Sequence, residues 1–245
     1  MTTPILVASG VTKTFGGFVA LDGVDLSVLP GERVGLIGPN GSGKSTLVNC
    51  IAGTLRATRG SFQFDGHDVG GLAPHRRTRL GIARSFQIPR PFVSMTVVDN
   101  LLIPLLYAAH SHARVQRSHR DVTDEAMDLL GQVKLQEKAH QLSGELTQVD
   151  MRKLELARAI ASRPKLLISD EAMAGLSAAE VDDILAILLE MKSRGIAVIM
   201  IEHIMRAVMR FSERLAVLVV GRKIADGPPE TVIRNPEVER AYLGE

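Results

Sequence analysis

The stretch GPNGSGKST, residues 38–46, constrains this chain more than any other. It matches G-x-x-x-x-G-K-[ST], with a strand-like run, RVGLI, before it and a helix-like run, TLVNCIA, after it. Strand, glycine turn and helix in that order make a phosphate cradle. Gly38, Gly41 and Gly43 let the backbone turn tightly, so that successive N–H groups point inward. The helix N-terminus adds partial positive charge. Lys44 is placed to reach β- and γ-phosphates, Ser45 offers a hydroxyl to Mg²⁺ with Thr46 beside it, and Asn40 and Ser42 complete the loop.

KLLISDE, 165–171, supplies acids for such a cradle. A hydrophobic strand ending in two carboxylates delivers them to the C-terminal edge of a sheet, beside the loop. Asp170 is the candidate for the Mg²⁺ shell and Glu171 for polarising the attacking water. Alone, the pair would read as an acidic helix cap; the upstream loop favours chemistry. His203, after the run IAVIMI and Glu202, can orient a phosphate or water. By themselves His203 and Gln87 would be ordinary polar residues. No N-K-x-D is present, so nothing supports guanine selection.

Around these motifs the hydrophobic pattern changes twice. Short strand-like runs dominate the start: ILVASGVTKTF, VDLSVL after Asp22-Gly23, ERVGLIG and, past a helix stopped by Gly53, SFQFDG. From about 96 to 162 the text is mostly helical, with apolar spacings of three and four over Asp124–Leu135 and in MRKLELARAIA, and a loop over Ser111–Arg120. Strand and helix then alternate, ending in LAVLVVGRKIADG, a hairpin expected to turn at Gly221-Arg222. The expected class is α/β. A mainly parallel sheet forms the P-loop ATPase core, with an N-terminal antiparallel β subdomain and an inserted helical subdomain. The expected division puts about 1–89 and 163–245 in the core and about 90–162 in the insertion.

Composition removes several other functions. With 29 basic and 27 acidic side chains the net charge is +2, which gives no global pull toward nucleic acid or anionic lipid. HRRTR, 75–79, then reads as a solvated helix face rather than a phosphate-backbone contact. The one cysteine, Cys50, forms no intrachain disulfide and fits a reducing, cytoplasmic compartment. No secretion signal is evident, and the apolar runs at 101–109, 196–201 and 215–220 fall far short of the roughly 20 residues a spanning helix needs. His110-Ser-His112 lacks the further ligands a metal site requires.

With these residues in place, the chain resembles the ATP-binding subunits of ABC transporters, above all those driving uptake of branched-chain, hydrophobic amino acids. General features of that family are the loop at 38–46, a glutamine loop at Gln87, the strand-DE at 166–171 and a switch histidine at His203. The amino-acid branch is carried by KTFGGFVAL (13–21), GIARSFQIPRPF (81–92), MTVVDN (95–100), MAGLS (173–177), IEHIM (201–205) and NPEVERAYLGE (235–245). The resemblance implies ATP and Mg²⁺ as cofactors and Phe15 stacking on adenine. It implies that Gln87 joins Mg²⁺ or the lytic water to the helical subdomain, and that a permease helix is received at roughly 88–106. It implies two ATPs sandwiched between two ATP-binding subunits, copies or paralogues. These sit peripherally at the cytoplasmic face of the inner membrane, on transmembrane permease subunits served by an extracytoplasmic solute-binding protein. An engine for urea or another small solute, or a soluble ABC ATPase without a permease, are the alternatives.

One stretch departs from the family. LSGEL, 142–146, begins like its LSGGQ signature, yet the family spaces the signature leucine 24 residues before the strand-ending aspartate, and counting back from Asp170 lands on Leu146. The signature position is then Leu146-Thr147-Gln148-Val149-Asp150. Thr-x-x-Asp makes a fair capping box, so the helix survives. The chemistry is expected to suffer, because the two glycines are replaced and Asp150 is expected to bring negative charge toward a γ-phosphate, costing on the order of 1 kcal/mol at short range. Ala172 replaces the usual proline after the DE pair, and Ser177 the usual Asp or Asn after Gly-Leu. The expectation is an asymmetric engine, with one competent half here and a full signature supplied by a partner.

Overall fold

A computed structural model of the chain describes residues 2–86, 88–107 and 118–243. Near the start, runs rich in β-branched and apolar residues pair antiparallel. β1 (Leu6–Phe15) lies between β2 (Phe18–Val28) and β4 (Arg59–Phe64), with the short β5 (His67–Asp68) at the edge, in the order β2-β1-β4-β5. Beneath it lies a larger sheet of β3 (Arg33–Ile37), β6 (Ile82–Ser85), β7 (Leu166–Asp170), β8 (Ala197–Ile201), β9 (Arg214–Val219) and β10 (Arg222–Gly227). Its order is β10-β9-β3-β8-β7-β6, parallel from β6 to β9, with β10 added antiparallel.

Both faces of this sheet are covered, which explains why β7 and β8 read as unbroken apolar runs. Leu166 and Ile168 of β7, with Ala197, Ile199 and Ile201 of β8, pack in one cluster with the N-terminal sheet and α1 (Lys44–Ala52). Their alternates Leu167, Val198 and Met200 pack in the other cluster. There they meet α5 (Gln148–Ala161), α6 (Ala178–Glu190) and α7 (Met205–Phe211). The same cluster runs on into α3 (Val97–Tyr107) and α4 (His119–Gln132), which with α5 fill the connection from β6 to β7. The short α2 (Pro74–Leu80) precedes β6, while α8 (Pro229–Val232) and α9 (Pro236–Leu243) follow β10.

Three local expectations are corrected. The hairpin turns at Val220-Gly221, one residue early: both have positive φ, +47° and +75°, and Arg222 already pairs with Val219. That is the geometry whose twist suits a two-residue hairpin. α4 begins at His119, inside the expected loop, because Ser118 and Asp121 form a capping box, and it ends at Gln132, before Lys134 at φ +60°. Residues 111–117 of that loop lie outside the described residues.

The third concerns HRRTR. Arg77 is buried, not solvated: it donates to the carbonyls of Cys50 and Ile51 at 2.7 and 2.8 Å and to those of Leu72 and Gly70 at 3.1 Å. It therefore supplies donors to the carbonyls at the end of α1, the helix that begins in the phosphate loop, where the Gly53 N–H also bonds Cys50 O.

Candidate active site

The loop at 38–46 turns from the end of β3 into α1 as expected. Gly38 (φ +149°) has no room for a side chain: a Cβ there would stand 2.0 Å from the Leu218 carbonyl oxygen on β9. Gly43 (φ +105°) is the N-cap of α1, and a Cβ there would meet the Ala20 carbonyl at 2.7 Å. The hairpin turn braces this loop, since Gly221 N–H donates to Ser42 O at 3.0 Å and Asp22 N–H to Gly221 O at 2.9 Å.

A cavity of about 270 Å³ opens over the loop. Phe15, Asn40 through Thr46, Glu171 and His203 all line it, so the structure brings these sequence-selected residues together. Phe18, which the sequence reading passed over, joins them with 61% of its surface exposed, against 48% for Phe15. The available signal was its place in Phe15-Gly16-Gly17-Phe18, where it pairs with Phe15 across the turn. The Lys13 ammonium lies 4.8 Å from the centre of the Phe15 ring.

The site is built for an anion. Lys44 is buried, and its ammonium donates to the carbonyls of Gly38 and Pro39 at 2.7 and 3.0 Å. Burial lowers its pKa, against the pull of Glu171 and Asp170, so a neighbouring phosphate would restore what desolvation takes away. The Ser42 hydroxyl is buried without a partner, a polar group that phosphate oxygens would satisfy.

Asp170 ends β7 and Glu171 follows it at φ +49°, a conformation rarely held by a non-glycine residue. Glu171 N–H donates to Ile201 O at 2.9 Å on the adjoining strand. Just past that strand, His203 Nε2 stands 3.1 Å from Glu171 Oε1. Glu202, between Ile201 and His203 in the chain, is buried; burial pushes its carboxyl pKa up, and it accepts the Met173 N–H at 2.8 Å. Asp170 is held from one side by Arg84 of β6, whose Nη2 donates to Oδ2 at 2.6 Å. Nothing in the sequence pattern singled out Arg84. Gln87 lies outside the described residues, as do His110 and His112.

An acid, an imidazole and a glycine cradle thus line one cavity. Residues 21–174 match the family model described as ABC transporter. This chain belongs to the ABC transporter ATP-binding family. Residues 222–245 match the model for the branched-chain amino acid ATP-binding cassette transporter. Over the whole of both chains, it is 40% identical to the high-affinity branched-chain amino acid transport ATP-binding protein BraF of Pseudomonas aeruginosa and 35% identical to LivG of Escherichia coli strain K12. Its fold matches the ADP conformation of MJ1267, an ATP-binding cassette of an ABC transporter, with a TM-score of 0.88 at 35% identity and full coverage of both. It matches the dimeric bacterial ABC transporter cassette MJ0796 with a TM-score of 0.81 at 25% identity, over 91% of this chain and 98% of that one.

Within this ABC ATPase the two frames for the signature occupy different structures. LSGE belongs to a 3₁₀ turn, Ser143–Glu145, pinned by Ser143 Oγ donating to Phe92 O at 2.9 Å. The later frame opens α5: Thr147 is the N-cap and accepts the Asp150 N–H at 3.3 Å. The return arm of the expected capping box differs, because the Asp150 carboxylate takes the Thr147 hydroxyl at 2.7 Å. It also takes the Lys138 ammonium at 2.5 Å. Asp150, expected to bring negative charge toward a γ-phosphate, is thus paired with Lys138 and Thr147 within its own chain. Burial raises its pKa, but the bonds from Lys138 and Thr147 outweigh that and hold the carboxyl below its usual range.

Proposed function

We propose that this chain is the ATP-hydrolysing subunit of an importer of branched-chain or other hydrophobic amino acids, working as one of two cassettes under a permease. The observation that carries the cargo is the match of residues 222–245 to a model for branched-chain amino acid cassettes. The end-to-end likeness to BraF and LivG, named for branched-chain amino acid transport, supports it.

In this reading the loop N–H groups and Lys44 hold the triphosphate, and Phe15 stacks on the base, worth about 1 kcal/mol. The hydroxyl of Ser45 and the carboxylate of Asp170 are hard oxygen donors of the kind Mg²⁺ takes, and both stand by the loop. When bound, that ion neutralises charge on the β- and γ-oxygens. Glu171 draws a proton from the attacking water, His203 keeps Glu171 aimed, and Gln87 links the site to a helical subdomain. That subdomain is about 90–162; about 1–89 and 163–245 form the core.

No described helix is long and apolar enough to cross a membrane. In this reading the engine works at the cytoplasmic face of one, held there by its permease partner. A groove of about 500 Å³ between α2, β6, α3 and α5 is the proposed seat of a permease helix. Phe86, Phe92, Pro104 and Tyr107 make it apolar, and Arg84, Arg90 and Arg158 make it basic. An extracytoplasmic binding protein would deliver the solute. Leu146–Asp150 do not line the cavity of their own chain, and Thr147 and Gln148 are exposed. Both facts support an α5 N-terminus that faces the ATP of the other cassette, with the missing glycines weakening that one site.

The test is uptake by vesicles holding the chain with its permease and binding protein. ATP-dependent accumulation of labelled leucine, isoleucine or valine is expected, undiminished by excess urea. Accumulation of urea and none of the three amino acids would contradict the cargo.

A further inference from the structure

The guanidinium of Arg84 joins parts of the fold that chemistry must keep in register. Nη1 donates to Asn49 Oδ1 at 2.5 Å, and Nη2 donates to Asp170 Oδ2 at 2.6 Å. Asn49 sits on α1, five residues past Lys44, and Asp170 closes β7. The same guanidinium lies 5.3 Å from the centre of the Phe86 ring, and Arg84 walls the groove described above. The pair is secluded, with side-chain exposures of 12% for Arg84 and 9% for Asp170.

Stability is a weak reason for such a pair, because desolvation of two charges offsets most of their attraction. Geometry is a better one. A guanidinium is a rigid planar fork whose donors keep fixed directions, whereas an ammonium is a point charge on a flexible stem. Two acceptors on two elements, one on each arm, therefore have their separation set by a single rigid group.

We propose that Arg84 is a positioning residue for the divalent cation. Its fork ties the Asp170 carboxylate to α1, so that Asp170 and the Ser45 hydroxyl on the same helix offer their oxygens to one ion together. Arg84 acts through Asp170, and the inference rests on the reading of Asp170 as a Mg²⁺ ligand.

The test is calorimetric titration of ADP into the full chain, once in EDTA and once in excess Mg²⁺. The ratio of the two dissociation constants is the magnesium gain. Arg84→Met keeps the packing on Phe86 and removes the fork. In EDTA its ADP affinity should stay within about twofold of wild type, because the phosphate loop is untouched. Its magnesium gain should fall by about tenfold or more, the usual effect of removing a group that orients a metal ligand. Arg84→Lys should recover only part of the gain. If Arg84→Met does not fold, as judged by circular dichroism, Asn49→Ala takes its place, frees one arm and should lower the gain by a smaller factor.

A full gain in Arg84→Met, or in Asn49→Ala where that variant stands in, would overturn the proposal. So would a loss of affinity equal in EDTA and in Mg²⁺, which marks a merely structural strut. A wild-type chain with no magnesium gain would instead overturn the reading of Asp170, and this inference with it.

Discussion

The Nε2 of His203 and the Oε1 of Glu171 stand 3.1 Å apart, each at the end of its own parallel strand. Register puts them there: Asp170 pairs with Ile201, so the residues just past β7 and β8 emerge side by side. The Glu171 N–H is tied to Ile201 O, and its φ of +49° turns the carboxylate into the cavity that Lys44 and the phosphate loop also line. In the proposed mechanism the imidazole aims the acid, and substituting it leaves the cradle intact. His203→Ala should lower ATP turnover by about 10²-fold, within the range for positioned acid–base groups. Its affinity for ATP, read by calorimetry, should be nearly unchanged. Turnover equal to wild type would show that the contact has no catalytic use.

The charge of Asp150 serves the fold. Its pKa is held below the ordinary value near 3.9, so its ion pair with Lys138 and bond from Thr147 contribute stability above the unfolded-state pKa. That contribution is lost as pH falls through the folded-state value. Asp150→Asn should therefore lower the melting temperature at pH 7 and lower it progressively less at acid pH. Thr147→Ala should cost about 1 kcal/mol as a lost helix cap, measured by urea unfolding. A melting difference for Asp150→Asn that is the same at pH 7 and at pH 3 would contradict the assignment.

Repair of the signature tests asymmetry. Gln148→Gly with Val149→Gly restores bare backbone at the start of α5, at about 1 kcal/mol of helix stability per glycine. If the present sequence weakens the site it serves, the repaired chain assayed alone should hydrolyse ATP at least about tenfold faster, as expected when backbone donors regain access to a phosphate. No change on repair, or an ordinary rate from the unrepaired chain alone, would remove the asymmetry.

Much of this was legible because the signals are local. The phosphate loop, the strand-DE pair and His203 each sit at a strand end, and parallel register carries strand ends to one edge. The run of β7 through α7 needed only periodicity and glycine stops such as Gly195. What escaped depended on contacts between distant segments. Arg77 looked solvated because five polar residues in a row suggest an exposed face, yet it caps a helix that ends 25 positions earlier, at Ala52. Arg84 was one letter of GIARSFQIPRPF until Asn49 and Asp170 closed on it. Asp150 was read by its formal charge, and Lys138, at the far side of a 3₁₀ turn, cancels it. The hairpin slipped by one residue because Val220, a β-branched residue, takes a positive φ that its type disfavours.

Glu171 is the proposed group that readies water beside the phosphate loop and Lys44. The most direct measurement is phosphate release from ATP by the chain assembled with its transporter, comparing wild type with Glu171→Gln. The amide keeps the size and the hydrogen-bonding reach of the acid but gives up its basicity, so release should fall by about 10²- to 10⁴-fold. Release from the Glu171→Gln assembly at the wild-type rate would contradict it.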